Sequence, residues 1–204
     1  MVEKDTRNIT RRNQTISLYN FLQKDESYAM LAKYISSKNP EYIPTGYKLN
    51  SDFSTDSILV FEKNKTIVLV YKATNFRNGI KEILRDLRSD LSIFLTIEKR
   101  NKQFRNAVNH FQMIKDEFPN YRIVLVGHSL GGNIASYLGK RFPKKIYRVV
   151  TFNKAISPIK KQEKGNKETA YANVNDIFSK KALDAIFVPK KNGTRPHSID
   201  NYLF

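Results

Sequence analysis

The stretch Arg122 to Gly132, RIVLVGHSLGG, limits what this chain can fold into more than any other. Ile123 to Val126 is an unbroken aliphatic run with Pro119-Asn120 before it and Gly127 after it. A run of that kind, bounded by turn residues, reads as a strand buried on both faces at the centre of a parallel sheet. Beyond it, Leu130, Ile134, Tyr137 or Leu138, and Phe142 recur at helical spacing. Lys140 and Arg141 fall in the last turn and Pro143 marks the stop. Between strand and helix, Gly127-His128-Ser129-Leu130-Gly131 fits the pattern G-x-S-x-G.

The residue types at that turn have a physical reason. A serine hydroxyl is a poor nucleophile unless it is presented on a sharp turn within reach of a base. Gly127 and Gly131, two positions either side of Ser129, allow strand and helix to approach without a Cβ clash. The helix that follows directs its free N–H groups and positive end toward a developing oxyanion. The plainer alternative is a glycine-rich turn that packs tightly or binds a phosphate. The buried strand before it and the amphipathic helix after it favour the nucleophile elbow.

Length and composition narrow the class. The 204 residues are expected to form a single domain, 1–204, small for a hydrolase of this kind, with 1–14 a flexible N-terminal arm. There is no cysteine, so no disulfide or thiolate metal site is available, and with three histidines no zinc site is expected. Met1 to Thr15 is charged and lacks an apolar core, so it does not read as a secretory signal. No segment has the length of a membrane-spanning helix. A soluble, intracellular chain is therefore favoured. The net charge is +17, and from Lys140 to Arg195 fifteen Lys or Arg stand against four Asp or Glu. That field suits an anionic partner, a lipid surface or nucleic acid, and equally a plain solvated lysine-rich surface.

Along the chain, Thr15 to Lys38 reads as helix in one or two pieces, ended by Asn39-Pro40, with a short strand expected near Tyr47 to Leu49. Ile58–Phe61 and Thr66–Tyr71 read as a β-hairpin across a polar turn, Glu62 to Lys65. Helices are expected over Gly79 to Thr96 and from Arg100 to Phe118. After the elbow come a strand Lys145 to Phe152, a lysine-rich loop, a strand Thr169 to Val174, a helix Asp176 to Ala185 and a C-terminal tail. Strands and helices alternating in this way make an α/β fold, a mainly parallel central sheet with helices on both faces.

A serine nucleophile needs a base and an acid to orient it, in the order Ser, Asp or Glu, His. His197 is the one histidine downstream of Ser129. His128 lies inside the elbow and cannot turn back onto its neighbour's hydroxyl, and His110 reads as a core-edge residue. His197 is therefore the candidate base by elimination. Of Asp176, Asp184 and Asp200, Asp176 directly follows the strand-like Tyr171 to Val174 and Asn175. It therefore stands at the carboxyl end of a strand, where sites form in open α/β sheets. Its alternative role is to cap the next helix. The oxyanion donors are expected to be the Leu130 N–H and a group on Tyr71-Lys72-Ala73-Thr74, with Thr74 the candidate.

Gly127-His128-Ser129-Leu130-Gly131-Gly132 resembles the elbow of the class 3, fungal-type triacylglycerol lipases. The resemblance spans roughly Ile58 to His197. In that family an aromatic–Arg–Gly–Thr/Ser segment supplies an oxyanion donor, which implies that role for Thr74, with Lys72 and Ala73 as departures. An Asp-Leu pair is matched by Asp86-Leu87. The family's Asn-x-x-Asp-x-Val block is similar to Asn173 to Ile177, which implies Asp176 as the acid, and its late histidine matches His197. The family's lid tryptophan has no counterpart, since the chain contains no Trp, and Phe76 to Ile80 is short for a lid. The expected protein is an α/β-hydrolase that cleaves acyl esters of acylglycerols or phospholipids without a cofactor or metal. An anionic membrane surface is a candidate partner and nucleic acid is not expected. Oligomeric state is open. The rivals are a non-catalytic basic protein, binding membrane or nucleic acid on a hydrolase scaffold, and an esterase or thioesterase for small soluble acyl compounds.

Overall fold

A computed structural model of the chain describes residues 20, 23–72, 90–155, 165, 167–176, 179 and 185–203, over 90–101 by backbone alone. The sheet has seven strands lying side by side in sequence order. They are β1 (Lys48–Leu49), β2 (Ile58–Lys63), β3 (Thr66–Tyr71), β4 (Arg122–His128), β5 (Arg148–Phe152), β6 (Glu168–Asn173) and β7 (Ile186–Val188). The first three pair antiparallel and β3 to β7 pair parallel. The α/β architecture expected from the sequence is thus the one found.

Alternation along the strands divides the core into two layers. Leu59, Phe61, Val68, Val70, Val124 and Val126 face a helix over 23–37 (α1), through Ala29, Leu31, Ala32 and Ile35. Ile67, Leu69, Ile123 and Leu125 face α2 (Asp90–Glu117) and α3 (Leu130–Arg141), through Phe111, Ile114, Ile134 and Leu138. The apolar runs of β3 and β4 are unbroken because both faces of these strands are covered.

Several expectations shift. The hairpin turn is only two residues, Asn64 and Lys65, both left-handed with φ of 47° and 54°. That geometry matches the twist of the flanking strands, so β2 runs on through Glu62 and Lys63. Of the two helices expected over Gly79–Thr96 and Arg100–Phe118, residues 79–89 lie outside the described residues, and from Asp90 to Glu117 the chain is one continuous helix. No Gly or Pro lies between Thr96 and Arg100 to end a helix there. The fifth strand starts at Arg148 rather than Lys145, because Lys145 N–H closes a turn on Phe142 O. The C-terminal tail holds a further parallel strand, β7, and a 3-10 turn, Ile199–Tyr202. The N-terminal arm, Asp86-Leu87, Phe76 to Ile80 and most of the helix expected after Asp176 lie outside the described residues.

Two buried ion pairs fasten the layers. Asp25 of α1 accepts a bidentate grip from Arg148 at 2.7 and 2.6 Å and the Tyr171 hydroxyl at 2.9 Å. Beneath α3, Glu168 accepts Lys154 Nζ at 2.6 Å, Ser136 Oγ at 2.8 Å, Thr151 Oγ1 at 3.0 Å and the Gly165 N–H at 3.1 Å. Burial alone would push the Glu168 carboxyl up, but Lys154 and these hydrogen bonds together hold it below the usual range. Lys154→Met should therefore cost about 3–5 kcal/mol by stranding a buried carboxylate, and adding Glu168→Gln should recover much of it. Urea unfolding of the single and double variants checks this. A single-variant cost below about 1 kcal/mol would mean that the carboxylate finds other compensation.

Candidate active site

The parallel register brings the carboxyl ends of the strands to one edge. Tyr71 pairs with Gly127, His128 with Phe152, Phe152 with Tyr171, and Asn173 with Val188. The loops that leave these residues carry Ser129, Asp176 and His197. Sequence positions spread over sixty-eight residues therefore converge at one place, with Ser129 Oγ 2.8 Å from His197 Nε2.

The turn at Ser129 is strained. Its φ of 55° and ψ of −122° lie where non-glycine residues seldom sit, at a cost on the order of 1–3 kcal/mol. Ser129 is also the residue that precedes α3, where a serine would ordinarily cap an N–H of the first turn. Its side chain makes no such bond. The hydroxyl is turned instead to His197. The backbone is held from both sides, since Ser129 N–H donates to Phe152 O at 3.0 Å and Ser129 O accepts from Ala155 N–H at 3.0 Å. The Leu130 N–H is the first of α3, a position with no partner within the helix. Thr74 lies outside the described residues.

His197 Nδ1 is 2.8 Å from Asp176 Oδ2. The carboxylate can only accept, so Nδ1 carries the proton and Nε2 is free to accept from Ser129. Asp176 is 1% exposed and is aimed by a tight turn after β6. There Asp176 N–H donates to Asn173 O at 3.0 Å and Asn175 N–H donates to Asn173 Oδ1 at 3.0 Å. Ser179 Oγ donates to Asp176 Oδ2 at 2.5 Å. Of the other candidates, Asp200 pairs with Lys33 at 2.8 Å, and Asp184 lies outside the described residues. His110 is half-buried against Phe53 O at 2.7 Å, a core-edge position as expected.

The loop that carries His197 is tied down by residues that sequence reasoning did not single out for this task. Asn201 places Nδ2 within 2.9, 3.1 and 3.0 Å of the carbonyls of Arg195, Pro196 and Ser198. Its Oδ1 accepts from Lys191 N–H at 2.9 Å. His128, the residue before the serine, points its ring Nε2 at His197 O, 2.8 Å away. A carbonyl only accepts, so Nε2 of His128 carries a proton. Asn153 also reaches this loop, through Pro196 O at 3.1 Å. The signal for Asn153 was its place directly after a core strand, the same cue that singled out Asp176.

Burial pushes the His128 imidazole down to about 3, with His197 beside it adding to the shift. The folded value lies below that of the unfolded chain, so only the unfolded state takes up the proton between the two. The stability contributed by the neutral ring is complete above about pH 6.5 and falls as pH drops below it, by about 2 kcal/mol at pH 5. Urea unfolding at pH 5 and pH 8 should show this loss in wild type and not in His128→Gln. Equal losses in the two proteins would mean that the ring is not held neutral.

Among the described residues no cluster of His, Asp or Glu could hold a metal ion, and no helix is long and apolar enough to cross a membrane. The family model described as alpha/beta hydrolase fold matches residues 36–180. The chain therefore belongs to the alpha/beta hydrolase fold family. Solved structures with the same fold include the Lip2 lipase from Yarrowia lipolytica, at 17% identity and a TM-score of 0.57, covering 90% of this chain and 82% of that one. The lipase from Rhizopus microsporus var. chinensis superposes at a TM-score of 0.52 and 14% identity, covering 87% and 77%. No curated protein sequence matches the chain significantly.

Proposed function

We propose that this chain is a serine carboxylic-ester hydrolase of lipase type, acting on acyl esters of acylglycerols or phospholipids. The observation that carries the reading is the unbroken relay of 2.8 Å contacts from Ser129 Oγ through His197 to the buried Asp176. In this reading Ser129 Oγ attacks the acyl carbonyl as its proton passes to His197 Nε2. Asp176 stays ionised, holds Nδ1–H and stabilises the imidazolium that forms. The Leu130 N–H and a donor from Thr74 would stabilise the tetrahedral oxyanion, a contribution worth about 10²–10³ in rate per donor. His197 returns the proton to the leaving alkoxide, and the acyl-Ser129 ester forms. Water, deprotonated by the same imidazole, then attacks that ester and releases the carboxylate and free serine. No cofactor enters this scheme.

The net charge of +17 supports a preference for anionic lipid surfaces over zwitterionic ones. Equal rates on anionic and zwitterionic vesicles at low salt would remove that part of the reading. The test of the chemistry is covalent labelling by a fluorophosphonate, read by intact mass. Wild type should gain one adduct, and Ser129→Ala and His197→Ala should gain none. A folded wild type that stays unlabelled, with and without detergent or anionic vesicles, would point to the non-catalytic binding protein. Hydrolysis of soluble short esters with no gain at a lipid–water interface would favour the small-ester esterase.

A further inference from the structure

Asn153 is the first residue after β5 and is 0% exposed. Its φ of 43° is left-handed, a conformation that glycine adopts at least cost. Instead of glycine the chain buries an amide there, which is unfavourable unless every polar atom of the amide is used. All of it is used. Oδ1 accepts the Asn173 N–H at 2.8 Å and the Tyr202 hydroxyl at 2.7 Å, while Ser179 Oγ, whose one proton goes to Asp176, only lies near at 3.2 Å. Nδ2 donates to Pro196 O at 3.1 Å. The partners fix which way the amide faces, because an N–H on one side requires the oxygen and a carbonyl on the other requires the nitrogen.

These partners belong to the two halves of the site. Asn173, whose N–H the amide oxygen holds, begins the turn that aims Asp176. Pro196 is bonded directly to His197. We propose that Asn153 is a positioning residue that sets the distance and angle between the Asp176 carboxylate and the His197 imidazole. The inference rests on Ser129, His197 and Asp176 being the catalytic set. The acceptor side of the amide alone could serve merely to stitch β5 to β6. The donor arm to Pro196 sets the two roles apart, since it leaves the sheet and touches only the base-bearing loop.

The test uses Asn153→Gly, which suits the positive φ and removes both arms, and Asn153→Asp, which keeps an oxygen on the Asn173 side and removes the donor. In each, kcat on a soluble ester should fall about 10–100-fold with KM changed by less than about threefold. The downfield Nδ1 proton of His197 in the NMR spectrum should shift or broaden, while thermal unfolding stays cooperative. Asn153→Asp decides the matter if Asn153→Gly does not fold. A folded variant with wild-type kcat and an unmoved Nδ1 resonance would overturn the inference. The resonance also separates the two proposals. If wild type neither labels with fluorophosphonate nor hydrolyses esters, the hydrolase reading fails, and the His197 signal in the variants still reports whether Asn153 holds the pair.

Discussion

Replacing Ser129 with Ala is expected to lower kcat/KM by about four to six orders of magnitude, leaving only what substrate binding and the oxyanion donors supply. The size follows from Oγ being, in the proposed mechanism, at once the attacking atom and the donor to His197. In the proposed mechanism, removing it ends covalent chemistry at the elbow. The fold should survive. Alanine carries the same Cβ through the same φ of 55°, so the backbone strain is unchanged, and one hydrogen bond, worth about 1 kcal/mol net, is lost. Initial rates on a soluble ester together with a thermal melt check both parts. Residual activity above about one per cent in a folded protein would place the nucleophile elsewhere.

Gly127→Ala should be the most destructive single substitution in the fold. A Cβ on Gly127 would lie 2.2 Å from Gly131 C, 2.3 Å from Gly131 O and 2.5 Å from Gly132 N. All three are backbone atoms at the start of α3, so no rotamer change relieves the clash and strand must part from helix. The expected loss exceeds about 4 kcal/mol, at the extreme of single substitutions. Gly132→Ala is a graded control, because its Cβ would meet Gly127 O at 3.0 Å and Lys154 Cα at 3.4 Å, a far milder conflict. Urea midpoints should fall in the order wild type, Gly132→Ala, Gly127→Ala. Comparable midpoints for the two variants would mean that the turn is less closed than these distances require.

What could be read in the sequence was what neighbouring residues decide. Strand, turn and helix around Ser129 lie within about twenty residues, and each carries its own local signal, from the apolar run to Pro143. The placement of Asp176 near Ser129 was legible because it comes soon after a core strand, and that of His197 because no other histidine lies downstream of Ser129. The residues that hold these groups were not legible. The partners of Asn153 are Asn173, Pro196 and Tyr202, and that set exists only once β5 and β6 have settled in register. His128 could be excluded as the base, yet nothing local says that its ring faces the carbonyl of a residue sixty-nine positions on. Nor does the sequence show that Lys154 lies inside the protein against Glu168, fourteen residues away in the chain. A three-residue strand such as β7 is too short for any period to show.

Because the seven strands lie in the order in which the chain is synthesised, each can pair with a neighbour that has already been made. Apart from β3 and β4, where Thr66 pairs with Arg122 across α2, the pairings join segments close in sequence, which keeps those contacts local. His197, the proposed base, lies beyond β7 and reaches Ser129 from sixty-eight residues downstream. A growing chain can therefore lay down its central strands and shape the elbow before His197 is made. In the proposed reading, the relay from Ser129 to Asp176 is complete only once the segment carrying His197 has docked.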